Sequence, residues 1–169
     1  ATAALAAVAA MPAEAGTFDV KGPEVKKGET EVSTNHSVQA RFPVNSDFIR
    51  YSSELAAGYG FADWFKAGVK LNGDLPVGET WQLSTAGLET QLYLGKLAPG
   101  ILWGWYTGVD VRVHESETNT AIFGPLVQLG DDKLSLTLNG LFEQTFGANR
   151  EEGTAFSYAA GLKREVQEG

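Results

Sequence analysis

The chain has 169 residues, a formal net charge of −8, no cysteine, and 43% hydrophobic residues. This length indicates a single domain, the acidic charge argues against a nucleic-acid partner, and the lack of cysteine excludes disulfides and thiolate metal sites. A helical membrane protein needs about 18 or more consecutive apolar residues, which the slightly negative mean hydropathy excludes. The hydropathy does not exclude a membrane β-barrel, because the strands of such a barrel alternate apolar with polar residues.

The N-terminal segment resembles an export signal. An Ala-rich apolar run ends in Ala13-Glu14-Ala15, which fits the A-x-A cleavage site of a secretory signal peptide. The sequence therefore predicts a signal-peptide remnant at residues 1–15, although an ordinary Ala-rich helix is the alternative. Residues 16–30, polar and rich in Gly and Pro from Lys21 onward, are predicted to be a periplasmic lead-in. Residues 31–169 are predicted to form a β-barrel.

Alternation of apolar and polar residues runs through the chain from Glu31 onward. It is clearest at 101–113, where one parity is apolar and the other is small, polar or charged. Because successive strand residues point to opposite faces, such a segment predicts a strand with two unlike faces. The apolar parity there comprises Ile101, Trp103, Trp105, Val109, Val111 and Val113.

Similar segments recur along the rest of the chain, and no segment has a convincing helical stripe. The pattern predicts an all-β protein, an antiparallel up-and-down meander of about eight strands that forms a transmembrane β-barrel or part of a larger one. The segment 31–42 is the weakest amphipath. In the segment 121–129, Pro125 predicts an edge strand or a bulge.

The two faces are assigned by their chemistry. Charges of both signs can pair across a narrow lumen, and aromatic residues near the strand ends resemble the girdles at lipid interfaces. The residues predicted to line the lumen, with cross-strand ion pairs, are Glu54, Lys66, Lys70, Glu89, Asp110, Arg112, Glu143 and Lys163. The residues predicted to face lipid are Trp103, Trp105, Val109, Val111, Leu134, Leu136, Leu138 and Phe142. A soluble barrel or sandwich, with its apolar face inward, is the alternative.

The connections between the predicted strands alternate in length. Ala62-Asp63 and Asp131-Asp132 form tight links, whereas most others are longer. Outer-membrane barrels have short periplasmic turns and longer outer loops, so the pattern predicts the cell outer membrane with a periplasmic N-terminus. The link Gly95–Gly100 is longer than this scheme requires.

One stretch resembles a known family. Residues 58–68, Gly-Tyr-Gly-Phe-Ala-Asp-Trp-Phe-Lys-Ala-Gly, are similar to the Y-G-(aromatic or Leu)-x-D-x-(apolar)-x-x-G hairpin of proteobacterial outer-membrane proteins. They resemble the transporters assigned to the phenol meta-cleavage pathway and uncharacterised alphaproteobacterial relatives. Residues 123–138 have a similar pattern. The resemblance implies a barrel in the outer membrane and, less specifically, small-molecule transport.

Few residues suggest catalysis. His114, beside Glu115, Ser116 and Glu117, could belong to a lipid-acting rim enzyme, but the pattern favours a histidine in a solvated loop. His36 falls on an apolar parity, which predicts a bulge or an interfacial position. Opposite charges around Asp110 and Glu143 favour structural ion pairs over an acid–base pair.

The predicted function is a non-enzymatic outer-membrane protein, either a narrow pore for a small-molecule solute or a structural protein. Its predicted partner is membrane lipid, with no nucleic acid, cofactor or metal. The alternatives are a soluble periplasmic barrel that binds an apolar ligand and the rim enzyme. Family members are longer and outer-membrane barrels end on an aromatic residue, whereas this chain ends Val166-Gln-Glu-Gly169. An incomplete barrel with an open edge is therefore expected.

Overall fold

In the computed structural model, the described residues are 4–6, 20–40, 49–75, 80–113, 118–131, 133–147, 150 and 152–164. They form strands joined by turns and extended segments. The strands are β1 (Ala4–Ala6), β2 (Thr30–Ala40), β3 (Ile49–Ala62), β4 (Phe65–Leu75), β5 (Gln82–Ala98), β6 (Ile101–Arg112), β7 (Asn119–Gly130), β8 (Leu134–Phe146) and β9 (Thr154–Arg164). No helix long and apolar enough to cross a membrane occurs among these residues.

Eight of the strands form one continuous meander. Each strand from β2 to β9 is antiparallel to the next, and the sheet curls into a half-barrel. The predicted all-β, antiparallel, eight-stranded meander is thus confirmed. The short β1, which lies in the predicted signal-peptide remnant, pairs with Gly161–Lys163 of β9.

The sheet has a polar inner (concave) face and an apolar outer (convex) face. Glu89 of β5 lies opposite Gly108 of β6, and Leu88 lies opposite Val109, so each face continues from strand to strand. On the inner face Glu89 is 7% exposed, whereas its outer-face neighbour Leu88 is 65% exposed. A small apolar cluster of Tyr106, Leu126 and Leu141, with Ile122 against it, is the buried hydrophobic core of the described part.

Three tight turns lie at one end of the sheet. They are Asp63-Trp64 between β3 and β4, Pro99-Gly100 between β5 and β6, and the short connection between Gly130 of β7 and Leu134 of β8. The predicted long link at Gly95–Gly100 was wrong, because β5 continues to Ala98 through two register shifts. Gly95 lies at the first shift with a φ of 114°, a backbone conformation that glycine adopts without strain. We call this end the short-turn end.

Two details of the strands differ from expectation. Pro125 lies in β7, between β6 and β8, and not at an edge or a bulge. It pairs with Trp105 of β6, while the ladder to β8 is interrupted between Phe123 and Leu126, which accommodates a residue without an N–H donor. The register of β2 against β3 is continuous, so no bulge removes His36 from the outer face.

The sheet is open between β2 and β9. No pairing joins these two strands in the described part of the chain, and β1 covers only the end of β9. The predicted open edge is therefore present among the described residues.

Candidate functional site

A segment of chain crosses the inner face close to the short-turn end. Residues 20–29, which we call the strap, run from β9 past β8, β6 and β5 to β3. Sequence reasoning placed them in a periplasmic lead-in and missed their position inside the curve of the sheet. At the β9 end, Val20 lies against Gly161, where an added Cβ would be 3.0 Å from Val20 Cγ1.

Two side-chain amides of the sheet hold the strap backbone. The Lys21 N–H donates to Asn139 Oδ1 at 2.9 Å, and Asn139 Nδ2 donates back to the Lys21 carbonyl at 2.8 Å. Asn139 is only 2% exposed, so these bonds are shielded from water. Gln91 Nε2 donates to the carbonyls of Gly22 at 2.7 Å and Glu24 at 3.2 Å. The side-chain amides of Asn139 and Gln91 thus satisfy backbone groups of the strap that a neighbouring strand would satisfy in a sheet.

The far end of the strap is fixed to the β3–β4 hairpin. The Gly28 N–H donates to the Gly60 carbonyl at 2.7 Å, and the Gly60 N–H donates to the Glu29 carbonyl at 2.9 Å. The Lys27 N–H donates to Asp63 Oδ1 at 3.1 Å. A Cβ on Gly60 would overlap the Lys26 carbonyl, so this close approach requires glycine.

Apolar packing completes the attachment of the strap. Pro23 is fully buried, and Val25 is 7% exposed. Pro23 lies against Gly104 of β6, where an added Cβ would be 3.1 Å from Pro23 Cβ. The strap is therefore a packed element that obstructs the inner face.

One side chain of the strap enters a polar cluster on the inner face of strands β3 to β9, which we call the wall. Lys21 Nζ lies 3.1 Å from Glu89 Oε2 and 5.5 Å from the centroid of the Tyr106 ring. The Tyr106 hydroxyl donates to the same Glu89 oxygen at 3.0 Å. Gly108 leaves room for the Tyr106 ring, because an added Cβ there would be 2.9 Å from the hydroxyl oxygen.

A second ion pair lies beside this cluster. Lys70 Nζ of β4 lies 2.8 Å from Asp110 Oδ2 of β6, so the pair crosses over β5 between them. Gly87 of β5 makes this possible: an added Cβ would overlap Asp110 Oδ1 and lie 2.9 Å from Lys70 Cε. The two side chains are 7% and 14% exposed, which makes this a largely buried pair.

The eight residues predicted to line the lumen all lie on the inner-face parity. Lys66 pairs with Glu31 of β2, and Glu54 accepts a hydrogen bond from Asn35 at 3.2 Å. Neither Glu31 as the partner of Lys66 nor Asn35 as the partner of Glu54 was predicted from the sequence. Lys21 was also not predicted as the partner of Glu89. Arg112, Glu143 and Lys163 lie opposite Thr85, Ala155 and Ser135, respectively. The uniformly polar parity of the weakly patterned β2, which consists of Glu31, Ser33, Asn35, Ser37 and Gln39, was the signal that could have revealed Glu31.

The eight residues predicted to face lipid all lie on the outer face, four in β6 and four in β8. Leu134, Leu138, Phe142 and Val111 are 52%, 38%, 40% and 50% exposed. Trp103, Trp105, Val109 and Leu136 are half-buried between neighbouring side chains. Contact with lipid stays a prediction.

Aromatic side chains on the outer face form two clusters. Near the short-turn end, Tyr59, Phe61, Trp64 and Phe65 are joined by ring-centroid distances of 5.0, 5.9 and 5.7 Å. Nearer the other end, Phe142 lies 6.0 Å from Phe123 and 5.3 Å from Phe156, in a row across β7, β8 and β9. The outer face thus carries aromatic residues toward both ends of the strands.

The candidates for chemistry are not brought together. His114 and its neighbours at 115–117 lie outside the described residues. His36 is exposed on the outer face. Asp110 is engaged by Lys70, and residues 20–40, 49–75, 80–113 and the other described ranges contain no group of three His, Asp or Glu that could hold a metal.

A cavity of about 320 Å³ remains between the strap and the wall. Its lining includes Lys21, Glu31, Lys66, Gln91 and Gln128, so it is polar and carries both signs of charge. Comparison with family models, curated proteins and solved structures finds no match for this chain.

Proposed function

We propose that this chain is a non-enzymatic outer-membrane β-barrel protein. Its outer face contacts lipid, and its inner face bounds a narrow passage for small polar solutes that the strap obstructs. The observation that carries the proposal is the inverted distribution of polarity: Lys70 and Glu89 are buried on the inner face, while Leu88 and Val69 beside them are 65% and 53% exposed.

This distribution is unfavourable in water and favourable in lipid. Exposed apolar surface costs about 25 cal/mol per Å² in water, and monomeric soluble proteins rarely expose large contiguous apolar patches. In a membrane the same surface is matched by the acyl chains, and charges are found inside, where they pair. The two aromatic clusters fit the girdles of such a protein.

A soluble barrel that binds an apolar ligand receives less support. Such a barrel carries its apolar residues inside. Here the buried hydrophobic cluster is small and contains Tyr106, Leu126 and Leu141. The cavity beside the strap is lined mainly by polar residues, which does not suit an apolar ligand. The rim-enzyme alternative depends on His114, which lies outside the described residues.

Cell fractionation tests the location. We expect the protein in the outer-membrane fraction, with detergent needed for its release. Release by osmotic shock without detergent would contradict the membrane assignment.

Planar-bilayer recording of the refolded chain tests the passage. We expect few channel events from the wild type and frequent events after residues 20–29 are replaced by a Gly/Ser stretch of equal length. A matched control replaces only Lys26 and Lys27 by serine, which leaves Asn139, Gln91 and Pro23 engaged. No events from the strap-replaced protein at any voltage would refute the passage and leave a structural barrel.

A further inference from the structure

The ammonium group of Lys21 occupies a cation site built by the wall of the sheet. We propose that Glu89 and Tyr106 form a binding site for a small primary ammonium ion, and that Lys21 of the strap is its built-in occupant. This inference deepens the proposed function by naming the class of solute that the passage recognises.

The wall supplies the two groups that recognise an ammonium ion. Lys21 Nζ lies 3.1 and 3.4 Å from the two carboxylate oxygens of Glu89. It also lies 5.5 Å from the Tyr106 ring centroid, within the range of a cation–π interaction. Carboxylate and aromatic ring together select a compact positive charge over a neutral or anionic solute.

A hydrogen bond within the sheet orients the site. The Tyr106 hydroxyl donates to Glu89 Oε2 at 3.0 Å, which fixes the carboxylate. Glu89 is 7% exposed and Tyr106 is 2% exposed, so both are held by their surroundings. A rigid, preformed site loses little entropy when it binds a ligand.

The neighbouring lysines of the wall have other carboxylates. Lys70 is 2.8 Å from Asp110, and Lys66 pairs with Glu31. Removal of the Lys21 ammonium therefore leaves Glu89 a buried carboxylate whose direct ion-pair partner is gone. A buried charge without a partner is costly, so a cation from solution is expected to take its place.

In our proposal, the side chain of Lys21 alone separates the cation site from open space. Lys21 lines the cavity of about 320 Å³ beside the strap, whereas Glu89 and Tyr106 do not. We expect truncation of the Lys21 side chain to connect this cavity with the Glu89 carboxylate. The backbone anchors of the strap at Asn139 and Gln91 are separate from this side chain. Truncation of Lys21 can therefore open the cation site while the strap stays attached.

Calorimetric titration of the refolded full chain with n-butylammonium tests the proposal. We expect Lys21→Ala to bind one n-butylammonium ion per chain, at least about tenfold more tightly than the wild type does. The wild type binds weakly because Lys21 already occupies the site. Lys27→Ala removes a lysine from the exposed part of the strap and should bind as weakly as the wild type. Butanol, the neutral analogue, should not bind.

The double variant Lys21→Ala/Glu89→Gln should lose the binding. Equal affinity of Lys21→Ala and the wild type, or binding that survives Glu89→Gln, would overturn the proposal. If Lys21→Ala fails to fold, Lys21→Gln supplies the same test, since its neutral amide leaves Glu89 without a counter-ion. Binding by Lys21→Gln that is no tighter than binding by the wild type would overturn the proposal. These titrations are made in detergent, so failure of the membrane assignment is measured separately by fractionation.

Discussion

The attachment of the strap can be tested at one buried side chain. Asn139→Ala removes both hydrogen bonds to the Lys21 backbone, at 2.9 and 2.8 Å, and leaves the N–H and carbonyl of Lys21 without these partners. Asn139 is 2% exposed, so water does not readily replace the amide. The strap should therefore detach more easily at its β8 end while the sheet stays folded.

The magnitude follows from the two bonds. Each contributes about 0.5–1.5 kcal/mol net, so the loss is about 1–3 kcal/mol in the free energy of attachment. At about 1.4 kcal/mol for a factor of ten, this corresponds to roughly 5- to 150-fold in the opening equilibrium.

Amide hydrogen exchange of the refolded protein measures this opening directly. The Lys21 amide should exchange faster in Asn139→Ala by that factor, and the Gly28 amide should change little, because Gly60 still accepts its hydrogen bond. Asn72→Ala is the matched control, since Asn72 donates to Thr85 at 2.7 Å and does not hold the strap. Unchanged Lys21 exchange in Asn139→Ala, or equal acceleration in Asn72→Ala, would refute the reasoning.

Three further changes test other parts of the molecule. Leu136→Arg places a charge on the outer face and should destabilise the bilayer-folded protein by about 2–4 kcal/mol, measured by denaturant titration in vesicles. Gly87→Ala should separate Lys70 from Asp110 and cost about 3–5 kcal/mol in the same assay, because it leaves buried charges without their partners. Backbone hydrogen bonds in the β7–β8 turn hold the pKa of Asp131 below its usual value. Asp131→Ala should therefore lower the melting temperature at neutral pH, with a difference that disappears as the pH falls through the folded-state pKa.

Each of these changes has a control or a contrary outcome. Gly140→Ala is the control for Gly87→Ala, because an added Cβ there meets nothing closer than 3.7 Å; equal losses in the two variants would contradict the steric argument. For Leu136→Arg, an unchanged stability in vesicles would count against lipid contact. Asp131 Oδ1 accepts from the N–H groups of Lys133 and Leu134. Because the pKa of Asp131 is lower in the folded chain, the stabilisation that Asp131 contributes is complete above the ordinary carboxyl pKa of about 3.9 and is lost in more acid solution. A difference in melting temperature between Asp131→Ala and the wild type that persisted in acid would contradict this origin.

The strands were predictable because their information is local. In β6 and β8 the alternation of apolar and polar residues assigns every side chain to a face without knowledge of the neighbours. The boundary of β5 was not predictable in this way. Gly95 resembled the start of a turn, whereas it lies at a register shift inside the strand with a φ of 114°.

The strap escaped sequence analysis because its partners are distant in the chain. Lys21 and Asn139 are separated by 118 residues, and Gln91 is separated from Gly22 by 69. The strap has no periodicity, and its amide partners look like ordinary inner-face polar residues. Only the curvature of the sheet, which brings β8, β5 and β3 around one segment, makes the contact, and that curvature is not written in any local pattern.

The central claim is that the outer face meets lipid, and nitroxide scanning tests it directly. The chain has no cysteine, so single cysteines can be introduced without background labelling. In vesicles, labels at Leu88, Leu136 and Leu138 should collide often with oxygen and seldom with a water-soluble nickel complex, while a label at Thr137 should be shielded from oxygen. Frequent nickel collisions at the three leucines, or no alternation between 136, 137 and 138, would contradict the account.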